Sequence, residues 1–340
     1  MSSGFDAIPR VFHAGQRHRW LPALTVALAA MVCADVVAQS TAYPAKPIRM
    51  LVPLAAGSAV DVVGRLVAVG MSADLGQQVV VENLPGAAGL IGTERAARSA
   101  PDGYTIAAVN DSIMTVLPQL HVKSPYDSFR DFTPIAQLAA VTWLLVAHPS
   151  VPAKSLPALL ALAKKRPGEI LYASGGNGSP QQLGMELLRS MTRVDLVHVA
   201  FKGATPALND VVAGHVSVMF SATSVALSFV KEGRLRAFGT GSPKRLAVLP
   251  EVPTIAEAGV PGFDYVTWAG LVAPAGTPPG VVARLNAAAV RALQRPELRT
   301  KVIDLGFELI ANTPDEFAQA LKRDYQRMGT LIREASIKLD

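Results

Sequence analysis

Short apolar runs alternate with segments of helical periodicity along most of this chain. A run of β-branched and aliphatic residues bounded by Gly, Pro or Asn predicts a strand, and apolar residues three or four positions apart predict a helix. The predicted strands are 48–54, 79–82, 105–109, 144–147, 170–174, 196–200, 217–221, 235–239 and 268–273. Strands that alternate with helices in this way predict an α/β protein whose sheets are mainly parallel and flanked by helices.

The rhythm of strands and helices restarts at Leu144, which indicates two α/β units. The helices that follow Gly262 belong to neither unit by their order alone. We expect the chain to leave the first lobe near Val141 and to return near Gly262. Lobe 1 would then comprise residues 43–141 and 263–340, and lobe 2 residues 142–262. Two such crossings form a hinge, and hinged α/β lobes close on a ligand held between them.

The first 38 residues have the pattern of an export signal. Arg10, Arg17 and Arg19 precede an apolar run over 20–32, and small residues at 36–38 suit a signal peptidase. We expect cleavage after Ala38. Lipid attachment at Cys33 is the alternative, although Val32 before it is bulkier than such processing favours. The sequence therefore predicts a secreted, periplasmic protein.

Composition narrows the function further. Cys33 is the single cysteine, so the mature chain can form no disulfide, zinc–thiolate site or cysteine nucleophile. The formal net charge of +6 is spread without basic runs, which argues against nucleic acid as a partner and suits an anionic small molecule. No apolar run after the signal approaches the length of a membrane span.

Two small-residue loops stand out because each joins a predicted strand to a predicted helix. The first is Ala55-Ala-Gly-Ser58 and the second is Ser174-Gly-Gly-Asn-Gly-Ser179. The first N–H groups of a helix lack partners within the helix and favour an anion. One helix terminus contributes only about 0.3–1 kcal/mol, whereas micromolar binding needs about 8 kcal/mol. Several hydrogen bonds must therefore converge from both lobes, which predicts closure on binding.

Six blocks of sequence carry a family resemblance. They are YPAKPIR at 43–49, PLAAGSAVD at 53–61, VENLPGAAG at 81–89, APDGY at 100–104, HVAFKG at 198–203 and WAGLVAPAGTP at 268–278. In this order they resemble the Bug family, the extracytoplasmic solute receptors of tripartite tricarboxylate transporters. The resemblance covers essentially the whole mature chain.

The resemblance implies a two-lobed periplasmic binding protein of type II-like fold. Such a receptor would capture a small carboxylic acid between its lobes for uptake or sensing, and the acid could be a di- or tricarboxylate, an acidic amino acid or an aromatic acid. It implies transporter membrane subunits, or a sensor, as partners; we expect a monomer. This chain has Ser58 and Ala59 where the family usually has glycines, and Ser221 where it often has Asp. Both departures bear on ligand identity.

The candidate ligand-binding residues lie in the two loops and at the ends of other strands. They are Ala56, Gly57, Ser58, Ser112, Ser174, Gly175, Gly176, Asn177, Gly178, Ser179, Lys202 and Ser221. The structural alternative is that Gly57 shapes a turn, Ser58 caps a helix and Lys202 is simply solvated. Replacing Gly57 or Gly176 by Val would test the two loops, provided neither holds a positive φ. The loop 83–89 is either a wall of the cleft or a direct contact.

Enzymatic motifs are missing from the sequence. It contains no G-x-S-x-G, H-E-x-x-H or P-loop pattern, and His121, His148, His198 and His215 have no metal-like spacing. We therefore expect a receptor without catalytic residues, metal or cofactor. The alternative is an exported serine hydrolase that uses Ser58 or Ser179 with His198.

Overall fold

The computed structural model describes residues 43–334. The predicted export signal lies outside this range. Eleven strands fall within it: β1 (Ile48–Val52), β2 (Val79–Asn83), β3 (Thr105–Asn110), β4 (Phe132–Val141), β5 (Trp143–Ala147), β6 (Leu171–Ser174), β7 (Val197–Ala200), β8 (Val218–Ala222), β9 (Arg236–Thr240), β10 (Thr267–Pro274) and β11 (Phe307–Leu309).

Ten α-helices connect or follow these strands within the described range. They are α1 (Ala59–Leu75), α2 (Leu90–Ala97), α3 (Leu117–Leu120), α4 (Leu156–Lys165), α5 (Pro180–Thr192), α6 (Ala204–Val212), α7 (Thr223–Lys231), α8 (Pro279–Gln294), α9 (Pro296–Asp304) and α10 (Pro314–Glu334). A π-helical turn, Ser112–Val116, follows β3. None of the described helices has the length and apolar character needed to cross a membrane.

The strands form two sheets. The first has the order β11-β4-β10-β3-β1-β2 and the second β7-β6-β8-β5-β9. Parallel pairing joins β1 to β2 and β3, and β6 to β7 and β8. The strands at the crossings pair antiparallel: β10 with β3 and β4, and β5 with β8 and β9. The two-lobed α/β fold is confirmed, and its sheets are mixed where mainly parallel ones were predicted.

Each sheet carries its own apolar core. The core of the first sheet includes Leu51, Val109 and Phe317, which are buried in one hydrophobic cluster. In the second, Leu144 and Met219 play the same role. Two separate cores are what the length of the chain requires, because a single core stops growing at about 250–300 residues.

Two crossings connect the sheets. At the first, only Thr142 separates β4 from β5, and its hydroxyl donates to the carbonyl of Gly306 at 2.8 Å. The second crossing leads from β9 to β10, and the indole N–H of Trp143 donates to Thr267 Oγ1 at 3.0 Å, which ties the two crossings together. The lobe boundaries at residues 142 and 262 stay predictions.

Candidate functional site

Four helices begin around one cavity between the two sheets. The cavity is lined at the start of α1 by Ser58 and Ala59, at the start of α5 by Ser179 and Pro180, and at the start of α6 by Ala204, with α7 contributing from its first turn. The full lining is Leu54, Ala55, Ser58, Ala59, Val60, Ala88, Asn110, Val141, Trp143, Gly175, Ser179, Pro180, Gln181, Gly203, Ala204, Ser221, Ala222, Val225 and Thr267. Both predicted small-residue loops contribute to it.

The chemistry of this cavity favours an anion held by uncharged groups. None of the side chains in its lining is charged. The four helix N-termini each present partial positive charge, while hydroxyls and amides offer hydrogen bonds. A cationic ligand would meet these N-termini with no carboxylate in the lining to compensate. The arrangement can therefore hold a carboxylate without an arginine or lysine.

A wider cavity of about 640 Å³ adjoins the first, since both are lined by Ala55, Ala88, Gly175 and Gly203. Its volume lies within the range of small-molecule sites, roughly 300–1,000 Å³. The loop 85–89 forms one wall of it, and Ala87 and Ala88 hold positive φ angles of 46° and 54°. Such strain in residues other than glycine concentrates at functional sites. The loop is thus a wall that reaches both cavities.

The first small-residue loop is built as a helix-capping turn. Gly57 has φ +77°, and its N–H donates to Asp61 Oδ2 at 2.9 Å. Ser58 Oγ accepts from the N–H of Asp61 at 3.3 Å, so this hydroxyl caps α1. The carbonyl of Ala56 accepts from Thr205 Oγ1 at 2.9 Å across the two lobes. Of the three residues predicted here, Ser58 lines the cavity, whereas Ala56 and Gly57 shape the turn.

Asp61 is the hub of this turn. Besides the Gly57 N–H, its carboxylate accepts from Arg65 Nε at 3.0 Å and Asn83 Nδ2 at 2.9 Å. Burial alone would raise the pKa of Asp61, but the hydrogen bonds from Arg65, Gly57 and Asn83 outweigh it and hold the pKa below its ordinary value. Asp61 therefore stays ionised and structural.

The second small-residue loop presents a different geometry. Gly175 lines both cavities, Gly176 and Asn177 line the wider one, and Ser179 lines the inner one. Ser179 is 4% exposed, makes no capping hydrogen bond, and its hydroxyl has no partner among the described residues. A buried hydroxyl without a partner costs free energy unless a ligand or water satisfies it. Ser179 is accordingly a polar group placed to meet a ligand.

Three predicted residues stand beside the cavities instead of in their lining. Ser174 is fully buried and accepts from the N–H of Gly176 at 3.1 Å. Gly178 has φ +76°, and its carbonyl accepts from the hydroxyl of Ser112. Ser112 therefore bridges the two lobes and does not face the cavities. Lys202 is exposed at the rim of the wider cavity, and Ser221 lines the inner one.

The proviso on the valine test is not met. Gly57 and Gly176 both hold positive φ angles, +77° and +118°, which a valine adopts only with strain. Loss of binding in either variant would report a distorted backbone. A glycine without this restriction is needed, and Gly175 is one.

Four lining residues with hydrogen-bonding side chains were not predicted from the sequence. Asn110 ends β3, Trp143 begins β5, Thr267 begins β10, and Gln181 lies in the first turn of α5. Asn110 and Thr267 are buried polar residues at strand ends. A polar residue next to the end of a predicted strand was the feature of the sequence that could have identified them.

The serine hydrolase alternative does not match the geometry. His198 is bonded to Ser174, not to Ser58 or Ser179, and its second ring nitrogen faces Gln182 Nε2 at 3.3 Å. An amide N–H cannot act as the carboxylate that orients a catalytic histidine. Among the described residues no group of three or more His, Cys, Asp or Glu side chains could hold a metal ion.

Comparison with known proteins decides the family. The family model of the tripartite tricarboxylate transporter family receptor matches residues 63–337. The chain belongs to this receptor family. BugT of Bordetella pertussis is 35% identical to it over 316 residues, which are 93% of this chain and 95% of that protein. The resemblance to the Bug family is thus confirmed.

Solved structures agree with the fold of this receptor. Rpa4515 of R. palustris, solved with adipate, has 30% identity and a TM-score of 0.85 over 87% of this chain and 99% of its own. MatC from Rhodopseudomonas palustris, solved with bound malate, has 34% identity and a TM-score of 0.82 over 85% of this chain and 100% of its own. The periplasmic binding protein BugD, 32% identical with a TM-score of 0.84 over 87% of this chain and 99% of its own, shares the fold. The receptor is thus a two-lobed periplasmic binding protein in fold, and its family is one of receptors and not of enzymes.

Proposed function

We propose that this receptor captures a small carboxylic acid in the cavity where α1, α5, α6 and α7 begin. The observation that carries the proposal is a neutral lining beneath four convergent helix N-termini. The relatives solved with adipate and malate hold acids of this class. The acid itself is a di- or tricarboxylate, an acidic amino acid or an aromatic acid.

Both lobes supply the contacts in this proposal. Ser58 and Asn110 reach the ligand from the first lobe, and Ser179, Gln181 and Ser221 from the second. Hydrogen bonds to a charged group contribute about 1.5–3 kcal/mol each, so four or five of them account for the roughly 8 kcal/mol of micromolar binding. Because the groups that meet the ligand come from both lobes, binding closes the hinge.

A thermal-shift screen tests the ligand class. Malate, adipate, citrate, glutamate, nicotinate and benzoate are each added to the purified receptor, with glucose and spermidine as neutral and cationic controls. We expect at least one acid to raise the melting temperature by a few degrees, since a ligand at a hundredfold excess over its Kd adds about 2.7 kcal/mol. Stabilisation by the sugar or the amine alone would contradict the proposal.

Export and partners complete the proposal. Residues 1–38 act as a signal that is cleaved after Ala38, so the mature receptor begins at Gln39. It works in the periplasm as a monomer. It delivers its ligand to transporter membrane subunits or to a sensor. The charge and apolar pattern of the first 38 residues supports this. Intact-mass measurement of the periplasmic protein checks the start, and a diacylglycerol adduct on Cys33 would contradict it.

A further inference from the structure

A relay of hydrogen bonds runs behind the second small-residue loop. The N–H of Gly178 donates to Gln182 Oε1 at 2.6 Å. Because a backbone N–H can only donate, this contact fixes the orientation of the Gln182 amide. Gln182 Nε2 therefore faces His198 Nδ1, 3.3 Å away, as a donor. His198 must accept there, and its proton lies on Nε2.

The other ring nitrogen of His198 completes the relay of hydrogen bonds. Its Nε2 lies 2.5 Å from Ser174 Oγ and donates to it. Ser174 Oγ also accepts from the N–H of Gly176 at 3.1 Å and donates to the carbonyl of Gly176 at 3.2 Å. A serine hydroxyl has one donor and two acceptor sites, and all three are used. The neutral imidazole thus holds both ends of the 174–179 loop in place.

The relay also reaches the first lobe. The carbonyl of Gly178 accepts from Ser112, which stands in the π-helical turn after β3. The peptide groups on either side of Gly178 are therefore tied to His198 through Gln182 and to the first lobe through Ser112. A change at His198 is transmitted to an interlobe contact by three hydrogen-bonded side chains.

We propose that His198 is a positioning residue that keeps the 174–179 loop in its ligand-binding conformation only while its imidazole is neutral, so that acidification loosens the loop and weakens ligand binding. This rests on the carboxylate-binding function proposed above. A protonated His198 carries an N–H on Nδ1 that faces the N–H of Gln182. If the Gln182 amide turns over, its N–H group faces the N–H of Gly178 instead. Either way a buried donor loses its acceptor.

The charged groups on the elements packed against His198 leave this logic intact. Tyr172 of β6 stacks on the imidazole with ring centroids 4.8 Å apart. Its hydroxyl donates to Glu186 of α5, which also pairs with Arg189 at 2.7 Å. Burial, together with the neighbouring Glu186 carboxylate, raises the pKa of Tyr172, so it remains a neutral donor. Glu186 is thus occupied by Tyr172 and Arg189.

Hydrogen exchange of the ligand-free mature receptor tests the proposal directly. Amide protection of the segment 174–183, corrected for intrinsic exchange, is measured from pH 8 to pH 5.5, the range in which histidine ordinarily titrates. We expect protection to fall about tenfold in the wild type, as one buried donor loses its partner. In His198→Gln the amide supplies both a donor and an acceptor without titrating, so protection should stay constant.

A second variant should reverse the pH dependence of the amide protection. In Gln182→Glu the carboxylate accepts from Gly178 and from a protonated His198, so protection should hold or rise as the pH falls. His215→Gln is the matched control, because His215 is an exposed histidine of the same lobe that pairs with Asp210. It should behave as the wild type. Circular dichroism verifies that each variant is folded.

Measurements of ligand affinity distinguish a failure of the His198 proposal from a failure of the proposed ligand class. The Kd of malate and of adipate is measured over the same pH range for the wild type and for His198→Gln. At each pH the ratio of the two Kd values cancels the effect of the acids' own titration. We expect a wild-type loss about tenfold greater than in the variant. Wild-type protection that is independent of pH, or a fall that persists in His198→Gln, would overturn the relay. If neither acid binds while the His198-dependent fall is seen, the relay stands and the choice of ligand fails.

Discussion

Replacing Gly175 by Val is expected to lower ligand affinity more than a hundredfold while leaving the receptor folded. Gly175 lines both cavities, and a Cβ built on it would lie 3.1 Å from the N–H nitrogen of Ala204 and 3.2 Å from Gln181 Oε1. A valine side chain would therefore fill the space between the starts of α5 and α6. Gly175 is not among the glycines with a positive φ angle, so its backbone conformation does not itself exclude a side chain.

The stability cost of Gly175→Val should be about 1–3 kcal/mol, typical of an overpacked site. Gly280→Val is the matched control, because nothing lies within 4 Å of a Cβ built at Gly280, near the start of α8. Titration calorimetry with the acid that stabilises the wild type measures affinity, and thermal unfolding measures stability. Unchanged affinity in a folded Gly175→Val protein would place the ligand outside this cavity.

The alternating pattern of the sequence was sufficient for most elements, but it missed the strands β4 and β11. The longer of the two, β4, contains Gln137, a polar residue that interrupts the apolar run. In the structure Gln137 is buried because Asn312 accepts from its N–H and donates to its side chain, both at 2.8 Å. These two residues are 175 positions apart. No local pattern could reveal that a distant amide satisfies Gln137.

The site shows the same division between local and distant information. Ser58 and Ser179 were predicted because each lies between a strand and a helix, which is a local feature. Asn110 and Thr267 reach the cavity only because β3 and β10 pair antiparallel in one sheet. Ser112 was predicted to meet the ligand, and the π-helical turn directs it to Gly178 instead. Strand pairing and helix irregularity are set by tertiary packing, which the spacing of residues does not encode.

Replacing Ser179 by Asp should weaken ligand binding more than a hundredfold and yet leave the receptor folded. Ser179 is the N-cap of α5 and makes no capping hydrogen bond. Aspartate is as good an N-cap as serine and gains from the helix dipole by about 0.3–1 kcal/mol. The same carboxylate would repel a bound acid. At roughly 5 Å and an effective dielectric of about 20, that repulsion is about 3 kcal/mol, or more than a hundredfold in Kd.

The control for Ser179→Asp is Ser155→Asp, because Ser155 caps α4 in the same lobe, is exposed and does not line either cavity. Both variants add one negative charge at a helix N-cap, so a difference in affinity between them reports the position of that charge and not the net charge of the protein. We expect Ser155→Asp to bind as the wild type does. Equal, weak losses in both variants, screened away by 0.5 M salt, would show that the acid responds only to overall charge and that the convergent helix N-termini do not hold it.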